Sequence, residues 1–314
     1  MVYKPPHLQD ETAAVYAILK QKAREIAARL PLPDFYRAHA DDIACARGYL
    51  NHDPLLLELR VFVAERLEDD FGHGMKHALK VAADAGALSL IEGRRAGYAE
   101  TRIQRISIVS QAAGLLHDIH RKQKDHAVEG ARYAREVLAA FAFNGDEIDE
   151  ICYAIRNHEA FQRIKTPPTT AACFLSDCLY DADKFRWGPD NFTDTLWDMV
   201  AFFNPSVADF VIRYPGGMQR LEEIKTTFRS HTGKKYGPQM IDFGIIIGQE
   251  QPASGSHTGS PDGSESPSID EPWAFFANTG MTQTVAGSGG VTVIDDDGAG
   301  NFRLDFSALG VTWN

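Results

Sequence analysis

Residues 106–118, ISIVSQAAGLLHD, decide the fold. Ile106, Val109, Ala113 and Leu116 recur three and four residues apart, the period of a helix with one buried stripe, and the run ends on His117-Asp118. Two consecutive helical residues point about 100° apart. Both can therefore serve one ligand only if it sits in the wedge at the helix end. Outward from this stretch the same period extends over residues 8–249. Asp53-Pro54 reads as an N-cap followed by proline at the first helical position, opening LLLELRVFVAERL. Further helices are predicted over 75–92, 101–119, 126–142, 146–158, 168–184, 190–203, 206–230 and 236–247, without strand-like alternation between them. The pattern predicts an all-α, multi-helix bundle.

The character changes after residue 250. Residues 251–270, QPASGSHTGSPDGSESPSID, are mostly Ser, Gly and Pro and bury too little surface to offset their ordering entropy, so a disordered linker is predicted. Within 271–314, VTVI (291–294) and NFRLDF (301–306) flank DDDGAG, and Phe302, Leu304 and Phe306 alternate as one strand face does. A short β-hairpin is predicted in a small β-rich or loosely ordered tail. Asp295-Asp296-Asp297-Gly298 resembles the start of a calcium loop, but Phe306 stands where the bidentate Glu belongs, and a solvated turn fits better. The expected organisation is a helical body (1–250), a linker (251–270) and a tail (271–314).

A chain of 314 residues with 44% hydrophobic content can build a substantial core. Of the formal charge of -11, residues 251–314 carry -7 and the body only -4. The body thus offers no broad basic face, which argues against extended nucleic acid as a partner and leaves a small anionic substrate open. Cys45, Cys152, Cys173 and Cys178 form no CxxC pair and read as reduced, buried thiols. No run approaches the roughly 20 apolar residues of a membrane span, and MVYKPPHLQDETA lacks the order of a signal peptide. A cytoplasmic protein with no membrane partner is expected.

The residues that carry chemistry occur in the order His73, His77, His117-Asp118, His126, His158 and Asp183. His73 follows Gly72 and lies in the turn before a helix, balanced between a structural and a supporting role. His77, four residues on, leads into the face marked by Leu79, Ala82, Leu88 and Ile91. His126 opens HAVEGARYAREVL, four residues before Gly130, a glycine that permits close approach of a helix or ligand; the plain alternative is a helix-start histidine. His158 ends the stripe Ile148, Ile151, Ile155. A lone inward histidine is more often a hydrogen-bonded core residue, but here the other candidates also point inward. Asp183 closes AACFLSDCLYDADK beside a buried face, where a carboxylate must be paired, hydrogen-bonded or metal-bound. By position Asp177 and Asp181 project elsewhere. His52-Asp53 is a built-in control: a second HD pair, in which the Asp serves as a helix cap.

The ordered set H-x-x-K-V at His77, HD at 117–118 and Asp183 in DADK resembles the HD-domain superfamily of metal-dependent phosphohydrolases, over roughly residues 70–185. The resemblance implies an HD-type bundle and one divalent ion held by His77, His117, Asp118 and Asp183. His126 and His158 match in order the extra histidines by which some branches hold a second ion, with Asp118 as bridge. These branches are the HD-GYP cyclic-dinucleotide phosphodiesterases and the di-iron oxygenases similar to myo-inositol oxygenase. Where the HD-GYP type has HDIGK, this chain has HDIHR, placing Arg121 at the lysine; DADKFR also departs from the DxxD that commonly follows the last ligand.

Mixed imidazole and carboxylate donors suit Mn, Fe, Co, Ni or Zn better than Mg or Ca. An open coordination position would lower the pKa of a water for attack on phosphorus. Asp118 is the expected catalytic centre, and Arg121, His73, Lys122 or His126 would neutralise phosphoryl charge. The implied activity is phosphomonoesterase or phosphodiesterase action on a nucleotide or another small phosphate ester. The alternatives are a di-iron oxygenase and a nucleotide-sensing domain without turnover.

Overall fold

The computed structural model describes residues 6–68, 72–249, 292–295 and 302–305, with side chains within 12–68 and 72–249. Among the described residues the body consists of α1 (Pro6–Arg29), α2 (Asp34–Ala38), α3 (Ala40–His52), α4 (Pro54–Ala64), α5 (Met75–Arg95), α6 (Glu100–Leu116), α7 (His126–Leu138), α8 (Gly145–Arg156), α9 (Thr170–Lys184), α10 (Leu196–Phe203), α11 (Val207–Ile224) and α12 (His231–Gln249). A 3-10 turn at Phe185–Trp187 and a π-turn at Asn191–Thr195 separate α9 from α10.

Local chemistry sets several helix ends. Asp53 caps α4 by accepting from the backbone N–H groups of Leu55 and Leu56, with Pro54 in the first turn. Asn144 and Glu147 form a reciprocal capping box on α8, and Thr169 caps α9. α6 stops at Leu116 rather than at 119, with His117 as its C-cap in helical φ and ψ. The start of α12 has a tertiary cause. Buried Asp181 on α9 accepts from the backbone N–H groups of Arg229 and Ser230, both at 2.8 Å, and so fixes that helix end at His231 rather than 236. The helix expected over 190–203 is interrupted by the π-turn.

The centre of the bundle is the pair α5 and α6. Val81 to Leu90 and Ser107 to Ile119 are buried without a break, so these helices are enclosed on all sides instead of showing one stripe. Leu79, Ile91 and Ile106, expected on buried faces, are only half-buried at the ends. The two helices touch through glycine: a methyl on Gly114 would meet Ala82 Cα at 2.6 Å, and one on Gly86 would meet Gln111 Nε2 at 2.6 Å. Polar groups trapped between them pair, with Ser89 Oγ 2.6 Å from Ser110 Oγ and Ser107 donating to the Gly86 carbonyl. α3, α4, α8 and α9 cover the pair, α7 packs on α8, and α12 closes against α9, α11 and α1.

β1 (Thr292–Asp295) and β2 (Phe302–Asp305) pair antiparallel with Thr292 opposite Asp305 and Asp295 opposite Phe302. The predicted linker, Asp296, Asp297 and Phe306 lie outside the described residues. No helix among the described residues is long and apolar enough to cross a membrane. All four cysteines are free; Cys152 and Cys178 are buried, Cys45 and Cys173 half-buried.

Candidate metal centre

His117 is the C-cap of α6 and Asp118 follows in the next turn, and Gly114 holds this helix end against α5, where His77 lies five residues before Ala82. Asp183 arrives from the last turn of α9. His77 Nε2 lies 3.2 Å from His117 Nε2, 3.7 Å from Asp118 Oδ2 and 3.4 Å from Asp183 Oδ1. His117 Nε2 lies 3.1 Å from Asp118 Oδ2 and 3.8 Å from Asp183 Oδ1. Donors about 2.0–2.2 Å from one ion stand ~3 to 3.6 Å from each other, so these separations match the edges of a coordination polyhedron.

The protonation pattern supports the fit. His117 Nδ1 donates to the Gly114 carbonyl at 2.8 Å, and His158 Nδ1 donates to the Ile155 carbonyl at 2.6 Å. In the neutral ring each Nε2 then carries a lone pair, and it faces a carboxylate of Asp118. A proton on Nε2, favoured at His117, or a metal ion between the two groups would relieve the repulsion of lone pair and carboxylate. Asp118 Oδ1 is buried with no hydrogen-bond partner, as an ion ligand would be.

A second set of donors surrounds that oxygen. His158 Nε2 is 3.4 Å and His126 Nε2 3.6 Å from Asp118 Oδ1. His126 Nδ1 stands 2.9 Å from Glu159 Oε1, which favours the proton there and the lone pair on Nε2. That lone pair is met by Arg121 Nη1 at 2.7 Å, while Arg121 Nε and Nη2 are buried with no hydrogen-bond partner. His73, buried after Gly72, lies tilted against His77 with ring centroids 5.0 Å apart and groups with His77 and Asp118. The structure thus brings all the candidate residues together: His73, His77, His117, Asp118, Arg121, His126, His158 and Asp183. Lys122 is apart, on the outer side, where it pairs with Glu68.

Burial pushes His77 below the usual imidazole range, and burial with the Arg121 charge brings His126 down to about 4. Burial also opposes charge on His117, but Asp118 and Asp183 outweigh it and raise its pKa. The two aspartates stay ionised despite burial. His117 and Arg121 hold Asp118 far below its ordinary value, and Lys184 with His77 does the same for Asp183. Gly130 does not have the role expected of it, since an added methyl would make only ordinary contacts, the nearest at 3.5 Å to the His117 carbonyl.

Three functional candidates escaped the sequence reading. Lys184 is buried, donates to Asp183 Oδ2 at 2.6 Å and lines the cavity that opens from the centre. Glu159 orients His126. Buried Arg186 binds Asp84, Tyr36 and Asp190 and lies on the same cavity. One signal existed: Asp84 in the apolar run of α5 is a charge that needs a buried partner.

Residues 74–187, which span the whole metal-ligand set, match the family model of the HD domain. These residues are similar to an HD domain. No curated protein matches the chain. Among solved structures, the chain is similar to a predicted HD superfamily hydrolase from an uncultured Thermotogales bacterium, at 24% identity over 62% of this chain and 90% of that one, with a TM-score of 0.39. That superposition is too loose to carry an argument. The matched segment comprises α5 to α9 and the turn after α9, with α1 to α4 and α10 to α12 lying outside the match.

Proposed function

We propose that the chain is a metal-dependent phosphohydrolase acting on a small phosphate mono- or diester, nucleotides included, with one Mn, Fe, Co, Ni or Zn ion held by His77, His117, Asp118 and Asp183. The observation that carries this reading is the set of donor separations, 3.1 to 3.8 Å, among those four buried side chains. A bound ion would supply Lewis acidity and a water of lowered pKa. The chain's own residues would do the rest. Lys184 Nζ and the free edge of Arg121 would neutralise phosphoryl oxygens, Arg121 with a planar fork. His158 Nε2, 3.4 Å from Asp118 Oδ1, is placed to take a proton. His73 would orient the substrate from the cavity wall.

A second reading rests on the unpartnered Asp118 Oδ1 between His126 and His158, a site for a second ion and hence for di-iron oxygenase chemistry. Arg121 Nη1, 2.7 Å from His126 Nε2, counts against it, because it already sets a positive group beside that ligand. Elemental analysis of protein never exposed to chelator, with phosphate release from nucleotides, cyclic dinucleotides and sugar phosphates, separates the readings. One ion per chain and phosphate release that Asp118→Ala abolishes are expected. Two irons with substrate-dependent oxygen uptake would establish the oxygenase instead. Tight nucleotide binding without turnover under any metal would leave a sensing domain.

A further inference from the structure

In the cavity leading from the metal centre, away from the metal ligands and from Lys184 and Arg121, the charged lining side chains include Arg186, bound to Asp84 and Asp190, and Arg220, bound to Glu223. Beyond Lys184 its wall is built from Trp187, Phe192 and Leu196 in the segment after α9 and from Phe210 and Met218 on α11, with Phe161 at the mouth. Phe161 has φ +64°, a conformation a bulky side chain rarely adopts, and its ring is 43% exposed with the Arg220 guanidinium 4.9 Å from its centroid. Such backbone strain persists only where surrounding contacts impose it. The Arg220 guanidinium is itself committed to Glu223 at 2.6 Å. The hydroxyl of Tyr214, another lining residue, is likewise engaged, donating to the Gly248 carbonyl at 2.9 Å. That leaves Asn191 and Thr195 as neutral polar side chains lining the cavity. A nucleobase or sugar enclosed by such a wall would lose hydration that these two groups cannot replace.

Taking the phosphohydrolase reading as given, we infer that the cavity takes a phosphate ester whose organic part is apolar, an aryl group or alkyl chain, in preference to a nucleotide or sugar phosphate. The phosphate would lie at the Lys184 end and the apolar part along Phe192, Leu196 and Met218. Hydrolysis needs no further reagent. A water oxygen bonds to phosphorus as the P–O bond to the apolar alcohol breaks, one water proton passes to the departing oxygen, and the other stays on the phosphate released.

The test uses the metalloprotein as purified and phosphonates, whose P–C bond is not hydrolysed, so that binding is read apart from turnover. Calorimetric titration with methyl- to octylphosphonate is expected to show Kd tightening about 3- to 4-fold per methylene until the cavity is filled. Naphthylphosphonate should bind more than tenfold tighter than a nucleoside phosphonate. Met218→Gln, similar in size, should flatten the chain-length series and leave inorganic phosphate binding unchanged. A series flat in the wild type, or tighter binding of the nucleoside phosphonate, overturns the inference. Phosphate release from esters without regard to chain length would sink this inference and leave the hydrolase reading standing. Chain-length-dependent binding with no phosphate released from any ester would do the opposite.

Discussion

Asp118 Oδ2 stands 3.1 Å from Nε2 of His117, its neighbour in sequence. In a continuing helix the two side chains would diverge by about 100°. Here they meet in the turn that ends α6, and Asp118 has its second oxygen facing His158. The predictions below follow from this centre and from the packing that holds it.

Removing the Asp118 charge should strip the metal. Asp118→Asn is expected to lose at least tenfold in metal content. Its metal-free form should melt below the metal-free wild type, because the carboxylate that His117 and Arg121 stabilise is gone. The wild type should lose about 2.7 kcal/mol of stability on chelation if the ion had been present at 100-fold its Kd. Elemental analysis with scanning calorimetry reads both; unchanged metal content would exclude Asp118 as a ligand.

Lys184→Gln separates phosphate recognition from metal retention. Nζ is 2.6 Å from Asp183 Oδ2, on the opposite oxygen from the one that faces His77. The variant should keep its ion and lose about 100-fold in kcat/KM for phosphate esters. Loss of the ion with no other defect would instead show that Lys184 serves only Asp183.

Two glycines should respond in opposite senses. Gly114→Ala forces a methyl to 2.6 Å from Ala82 Cα on α5, with an expected cost of about 1–3 kcal/mol in urea denaturation and weakened metal binding, since His117 follows one turn later. Gly130→Ala, in helix α7 with nothing closer than 3.5 Å, should stabilise by about 0.5–1 kcal/mol. Equal effects at the two positions would refute the packing described for α5 and α6.

Glu147 links α8 to α6 and gives stability a pH dependence far from the metal. Its carboxylate accepts two bonds from Arg105, at 2.6 and 2.7 Å, and closes the capping box. Burial would raise its pKa, but Arg105 and the Asn144 N–H lower it below the ordinary 4.5. A depressed folded pKa means the contribution is complete above about pH 4.5 and disappears as pH falls through the lower folded value. Glu147→Gln should cost about 1 kcal/mol at pH 7 and little at pH 3, measured by denaturant titration at both.

The sequence showed what depends on period and order. Apolar spacing marked the helices, and the Asp53-Pro54 start and the His-His-Asp-Asp order are visible without coordinates. What it hid depends on contacts between distant segments. The all-round burial of α5 and α6 is invisible to a reading that looks for one stripe, because alanine, glycine and serine fill the other sides. The start of α12 is set by Asp181, some 50 residues upstream in sequence. Lys184 was read as a departure from a motif, though a lysine directly after a buried aspartate already has its partner. The apolar cavity wall is assembled from the turns after α9 and from α10 and α11, segments separate in sequence.

Asp181 and Asp183 share the last turns of α9: one is the anchor of α12, the other faces the metal centre. Gly233 presses on the anchor so closely that a methyl there would fall 2.0 Å from its carboxylate. A truncation before Arg229 would therefore orphan a carboxylate two residues from Asp183, so a shortened form trimmed to the matched family segment alone would be a poor surrogate for the full chain. Any minimal version should run through Gln249.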